Sequence, residues 1–284
     1  MNPSTIVVTG AGPDSIGLAT AQALADQGHQ VLVSTRSDPV PGFAWHPLDL
    51  ADPGSVKAFA DWTLAQVDDR LDALVNNAGI HLDLRSKWAE PRLASDGHEV
   101  HWRTNYLGTV QLTRLLLPVL LGTAGTRGDA RLVHVVSKLH ARGSNEALLD
   151  GVQPYDSWSA YGTSKLGLVH DVVELDRRYA ADGLRAMAVH PGSVFTRIAD
   201  AGLANSPVLG RLRRLGRPLE RRMLLTPEQG AATTVHCLTE PTVEGGRYYR
   251  RSAVAEPSSD ALDAEVSRRL WERTDDWLTR MAHR

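Results

Sequence analysis

The sequence holds one cysteine, Cys237, in 284 residues. A single thiol closes no intrachain disulfide and builds no cysteine metal cluster, so packing alone must hold the fold. The 11 histidines are scattered without ligand spacing on a shared helical face, and no metal is expected. Lysine is scarce too, found only at Lys57, Lys87, Lys138 and Lys165. With no lysine-rich tract and a formal net charge of -2, nucleic acid is not the expected partner. The locally basic stretch from Arg211 to Arg222 reads as a solvated helical face or a contact for a phosphorylated ligand. No apolar run approaches the ~18–20 residues of a membrane span, and the first strand starts too early for a signal peptide to precede it.

What is present is enough for a globular domain. Hydrophobic residues make up 42% of the chain and charged ones 23%, so it can bury a sizeable core as one domain, residues 1–284. Strands are expected near 5–9, 30–35, 43–48, 72–75, 130–136, 184–189 and 246–250, and helices near 15–28, 53–68, 97–122, 158–182, 226–239 and 259–281. Such alternation makes an α/β fold, a doubly wound parallel sheet with helices on both faces and ligands at the carboxyl ends of its strands. No internal repeat or low-complexity linker interrupts it.

Within the helix expected over 158–182 stands Tyr161-Gly162-Thr163-Ser164-Lys165, and Ser137 closes an apolar run 24 residues before that tyrosine. A Tyr and a Lys four apart share a helical face, where an ammonium can lie beneath a phenol. A phenol titrates near ~10, and bringing it to ~7 needs about 4 kcal/mol of preferential phenolate stabilisation. A cation within ~4–6 Å is the kind of group that supplies it. The same spacing also arises where a solvated lysine follows a packed tyrosine, so the pair alone does not define a site.

The opening adds a second signal. Thr5-Ile6-Val7-Val8-Thr9 is a β-branched run, followed by Gly10-Ala11-Gly12-Pro13-Asp14-Ser15-Ile16-Gly17 and the helical pattern Leu18, Ala21, Leu24, Ala25. Strand, glycine-rich turn and helix together let the backbone approach a pyrophosphate at a helix N-terminus. The spacing is not Gly-x-Gly-x-x-Gly, and a plain βα turn would use the same residues.

Further landmarks fall in order. Asn76-Asn77-Ala78-Gly79 follows Ala73-Leu74-Val75, Asn105 lies in a helix-like stretch, Ser137 ends the run from Leu132, and Pro191-Gly192 follows Met187-Ala188-Val189-His190. With Thr9-Gly10 and Tyr161-x-x-x-Lys165, the chain resembles the short-chain dehydrogenase/reductase superfamily over essentially its whole length. It looks most like the branch of retinol dehydrogenases and carbonyl reductases. Three stretches carry that narrower likeness: Ser95 to Gly108, Arg131 to His140, and Thr226 to Ala231 with the later Gly245 to Tyr249. The resemblance implies a Rossmann-type seven-stranded sheet of order 3-2-1-4-5-6-7 and an NAD(P)-dependent oxidoreductase. Family members usually place a helix between the second and third strands. Only 12 residues separate Arg36 from Asp49 here, Pro39 and Pro41 among them, so that helix is expected to be lost.

The resemblance also implies roles. Gly10, Gly12 and Gly17, with the amides of Ser15 and Ile16, would cradle the pyrophosphate; Ser15 stands where a glycine is usual, in a loop one residue longer. Asp49 and Leu50 would flank the adenine, and Asn77, Ala78 and Gly79 the adenosine ribose. Pro191, Gly192, Val194 and Thr196 would hold the nicotinamide carboxamide. At the end of the second strand Thr35 takes the usual acidic place and Arg36 follows; an arginine pairs with a 2′-phosphate, so NADP(H) is favoured over NAD(H). Against this, Asp14 lies in the phosphate loop, and Arg36 could be a solvated surface residue. Ser137 would donate to the substrate oxygen, Tyr161 exchange its proton, Lys165 lower the Tyr161 pKa and bind the nicotinamide ribose, and Asn105 anchor water on the proton path.

The expected substrate is a small apolar or aromatic alcohol, ketone or aldehyde. Pocket candidates are Ile80, His81, Trp88, Lys138, His140, Tyr155, Trp158 and Phe195, with the segment from about Ile198 to Met223 closing over them. A carbon-carbon double-bond reductase, an epimerase or a non-catalytic nucleotide sensor would share parts of this pattern. The membrane-bound retinol dehydrogenases carry an anchor ahead of the first strand; its absence here makes a soluble cytoplasmic enzyme the expectation. Homo-oligomer formation is expected too, with Leu112, Leu115, Leu116, Val119 and Leu120 as an apolar face unless they pack on the sheet.

Overall fold

Ile6 and Val8 point to one side of the first strand and Val7 to the other, and all three are buried, so the sheet is covered on both faces. The computed structural model describes residues 3–83, 90–194 and 224–282. Its strands are β1 (Thr5–Val8), β2 (Gln30–Thr35), β3 (Ala44–Pro47), β4 (Ala73–Asn76), β5 (Ala130–Val135), β6 (Leu184–His190), β7 (Arg247–Arg250) and β8 (Ala253–Val254). They form one sheet of order β3-β2-β1-β4-β5-β6-β7-β8. The first seven pair in parallel, in the order expected; β8 adds an antiparallel edge strand that the sequence pattern did not announce. Its hairpin turns at Arg251 and Ser252, both at positive φ, without the Asn-Gly or Asp-Gly that normally marks such a turn.

The helices are α1 (Ile16–Ala25), α2 (Pro53–Gln66), α3 (Gly108–Arg127), α4 (Asn145–Asp150), α5 (Ser157–Tyr179), α6 (Pro227–Thr239) and α7 (Ala264–Ala282). Local chemistry sets their starts. Asp52 caps α2 ahead of Pro53, and Thr226 with Gln229 forms a capping box on α6. The short α4 was not expected, and the helix expected from 259 divides into a 3-10 turn and α7. No helix joins β2 to β3, as the short connection implies, and Arg36 to Pro39 are exposed.

α1 and α6 pack on one face of the sheet against Val33, Val75, Val133 and Met187. Leu74 and Leu132 look to the other face, where α2, α3 and α5 bring Phe59, Leu116 and Leu166. α7 lies along α5 and buries Val266, Leu270 and Trp271. The Arg114 guanidinium stacks 3.3 Å from the centre of the Trp271 ring. Leu112, Leu116 and Leu120, expected as part of an association face, are instead fully buried in this core; Leu115 stays partly exposed. The helical stretch Trp102–Arg127 does have a membrane helix's length and mean hydropathy, 1.4, contrary to expectation, but 67% of its apolar window is buried inside the fold. That is a core helix.

α3 is preceded by a π-helical segment, Trp102–Leu107, in which the Gly108 N–H reaches back to the Arg103 carbonyl. Arg103 is fully buried there, ion-paired to Asp96 at 2.7 Å and donating to the Leu50 carbonyl at 3.0 Å. Asn105 lies in this segment.

Candidate active site

Tyr161 and Lys165 sit in the first turns of α5, and Ser137 follows β5 as the cap of a 3-10 turn, Lys138–Arg142. The two elements approach closely because Gly162 has no side chain; a Cβ there would lie 2.6 Å from the Leu139 carbonyl oxygen. Ser137, Tyr161 and Lys165 consequently line one cleft of about 230 Å³ at the carboxyl ends of β4 to β6. Ile16, Gly79, Ile80, His81, Pro191 and Val194 share its walls.

The Ser137 Oγ accepts from the Leu139 N–H at 3.2 Å. Burial pushes the Tyr161 phenol up to about 12, and its hydrogen bond with Ser137 pulls only weakly the other way. Burial lowers the Lys165 ammonium to about 8. Its Nζ donates to the Val135 carbonyl at 3.0 Å. The expectation that Lys165 depresses the Tyr161 pKa is not met in this geometry, because desolvation outweighs any pull from an ammonium turned toward a backbone carbonyl.

Asn105 is committed to protein partners. Its Oδ1 accepts from the Ile80 N–H at 2.8 Å, and its Nδ2 donates to the Ile80 carbonyl at 2.9 Å and to Ser164 Oγ at 3.0 Å. Lys165 Nζ and Asn105 Oδ1 lie 3.2 and 3.1 Å from where a side chain on Gly79 would begin.

The residues expected around a dinucleotide fall at the adjoining strand ends. The Ser15 hydroxyl caps α1 by accepting from Leu18 and closes the longer loop by donating to the Gly10 carbonyl. The amides of Ile16 and Gly17, in the first turn of α1, have no intrahelical partner by position. No atom lies within 4 Å of where a Gly12 Cβ would be, so the loop leaves room beside it for a pyrophosphate. Asn77 ties this loop to β4, its Nδ2 donating to the Thr9 and Gly10 carbonyls and Thr9 Oγ1 accepting from the Asn77 and Ala78 amides. The chain's own residues fit a dinucleotide here.

Two expected contacts need correction. Thr35 is buried, and its hydroxyl already serves Trp45 Nε1 and the Asp38 carbonyl. The Leu50 side chain belongs to the core and does not flank an adenine. Asp49, by contrast, is exposed, with Oδ1 accepting from the Ala51 N–H in a turn. Arg36 is exposed as well. Thr196, Trp88, Phe195, Arg211 to Arg222 and the Ile198 to Met223 segment lie outside the described residues.

Sequence reasoning missed a histidine and glutamate behind the cleft. His101 is wholly buried; its Nε2 accepts from the Leu82 N–H at 3.0 Å, which leaves Nδ1 to donate to Glu99 Oε1 at 2.8 Å. Burial raises the Glu99 carboxyl, but His101 together with the Trp102 amide more than offsets this and holds it below its ordinary value. Tyr155, a pocket candidate, donates to the same oxygen. The separation of two residues between Glu99 and His101 carries no motif, so nothing in the sequence marked the pair. His140, another pocket candidate, braces Ser137 from behind. Its Nε2 accepts from the Ser258 N–H and its Nδ1 donates to the Ser137 carbonyl at 2.7 Å.

A phenol and a serine hydroxyl at the mouth of a glycine-loop α/β fold define a class, and residues 4–205 match the short chain dehydrogenase family. The chain belongs to that family and is an NAD(P)-dependent oxidoreductase. Within it the chain falls on the retinol dehydrogenase-like branch. It is 35% identical to polyprenol dehydrogenase of Mus musculus, over 93% of this chain and 81% of that one. It is 33% identical to retinol dehydrogenase 12 of the same organism, over 94% and 83%. Among solved structures, an uncharacterized protein of Mycobacterium paratuberculosis superposes with a TM-score of 0.71 at 29% identity, over 98% of this chain and 95% of that one. The NADPH-bound carbonyl reductase of chicken fatty liver shares the fold, with a TM-score of 0.62 at 21% identity, over 91% and 100%.

Proposed function

We propose that this chain interconverts a carbonyl and an alcohol on an apolar or aromatic small molecule, using NADP(H), with Tyr161 as the proton carrier. The observation that carries this reading is the convergence of Ser137, Tyr161 and Lys165 on one cleft beside the glycine loop. Bound nicotinamide supplies or takes up the hydride. Ser137, with a lone pair held by the Leu139 N–H, has its own proton for a substrate oxygen or the phenol oxygen. Tyr161, with its pKa pushed up to about 12, is fully protonated at neutral pH and suits the role of acid in the reductive direction. Lys165, buried, would be the cation that meets the ribose hydroxyls, and Arg36, exposed, would be the group that pairs with a 2′-phosphate.

The test is NADPH consumption across ketones, aldehydes and enones, with each product identified. Alcohol products support the reading. Saturated ketones from enones would make the chain a double-bond reductase, and NADPH binding without any product would make it a sensor.

A further inference from the structure

The His81 imidazole is a buried group in the cleft wall that the proposed chemistry leaves unexplained, and unlike the equally buried His190 it lies against Tyr161. It is 6% exposed, lies flat against the Tyr161 ring with centroids 3.9 Å apart and planes within 12°, and takes the edge of Trp158 at 4.7 Å. Its Nε2 is buried and has no hydrogen-bond partner among the described residues. A buried imidazole nitrogen left unsatisfied costs about 1–3 kcal/mol, and a packing role alone would be met as well by phenylalanine. Burial, then His101, Lys165 and Arg142, lower its pKa to about 4, against a weaker opposing pull from Asp83. The ring is therefore neutral at physiological pH, with one N–H donor and one acceptor nitrogen.

We propose that His81 is a specificity-determining residue that hydrogen-bonds a second polar group on the substrate, next to the reacting carbonyl. The stacking fixes the distance. An imidazole one ring thickness from the phenol can reach only a substituent one or two bonds from the carbon whose oxygen meets Tyr161 and Ser137. The preferred substrates are then α-hydroxy or α-oxo carbonyl compounds. For a plain aldehyde or ketone on an apolar tail, Nε2 would stay unsatisfied in the complex. This inference rests on the carbonyl reading above.

The test compares two nearly isosteric ketones, 2-hydroxyacetophenone and propiophenone, with NADPH and the whole chain. For the wild type, kcat/KM is expected to be about tenfold or more higher for the hydroxyketone, the size of one buried hydrogen bond. His81→Phe keeps the ring stack and should bring the ratio to near one. His81→Gln, which restores a donor and an acceptor, should recover part of the preference. Unaltered NADPH binding, followed by nicotinamide fluorescence, certifies that each variant is folded. A wild-type ratio near one, or a ratio unchanged in His81→Phe, overturns the role of His81. Failure of the wild type to reduce either ketone, with NADPH bound, overturns the carbonyl reading itself and this inference with it.

Discussion

Asn105 grips Ile80 by both its N–H and its carbonyl, at 2.8 and 2.9 Å, so one side chain stands in for a strand neighbour. The bond from Asn105 Nδ2 to Ser164 extends the grip to α5, three residues beyond Tyr161. The loop after β4, the π segment and the helix bearing Tyr161 and Lys165 are thereby fastened at one point. Asn105→Asp should set an acceptor against the Ile80 carbonyl and the Ser164 hydroxyl. A loss of about 1–3 kcal/mol in stability is expected, seen as a fall in Tm, with a lower kcat in the folded fraction. An unchanged Tm would mean that the clamp is not a structural one.

Tyr161→Phe removes one oxygen and keeps the stacked ring. Turnover should fall by roughly 100-fold to 10,000-fold, the usual size of a general-acid contribution, while NADPH binding stays intact. Steady-state kinetics beside a fluorescence titration check both halves.

Arg36→Ala should weaken NADPH by roughly 10-fold to 100-fold, since a charge-assisted hydrogen bond contributes about 1.5–3 kcal/mol. NADH, which has no 2′-phosphate, should bind as before. Equal losses for both dinucleotides would assign Arg36 a different task.

Lys165 makes the pH dependence specific. With its pKa lowered to about 8, the ammonium loses its charge above that pH, whereas the phenol stays protonated to about 12. kcat/KM for reduction, which reports the free enzyme, should therefore decline above about pH 8. Lys165→Met should be slow and lack that limb. The sign for stability is opposite. The folded chain holds this proton less tightly than the unfolded one, so between about pH 8 and 10.5 this group makes the fold more stable as pH rises. Chemical denaturation across that window measures it.

Gly162→Ala should push α5 from the Ser137 turn, because the new methyl would start 2.6 Å from a backbone oxygen that cannot rotate away. Overpacking of this kind costs about 1–3 kcal/mol. A fall in kcat larger than the stability loss explains would show that the approach of helix and turn sets the Ser137 to Tyr161 geometry.

The sheet was legible because a strand buried on both faces reads as an apolar run, as Val31 to Val33 does and as Leu132 to Val136 does but for His134. Tyr161 and Lys165 were legible through helical spacing, but spacing gives proximity on a face and says nothing of desolvation, which here decides both pKa values. Thr35 was misread because its hydroxyl is taken by Trp45, ten residues on and in the neighbouring strand. The π segment was invisible for a similar reason. Arg103 and Gly108 are held against Leu50, more than fifty residues earlier, and local sequence records no such contact. His81 stood out only as a pocket candidate; its face-to-face contact with Tyr161 depends on how the loop after β4 meets α5.

The bare link between β2 and β3 has an evolutionary consequence. Four residues in a row, Arg36 to Pro39, project into solvent and carry none of the sheet's cohesion. Changing the charge at that corner need disturb no packed neighbour. On the role proposed for Arg36, a substitution at this exposed corner would shift dinucleotide preference with the melting behaviour barely altered.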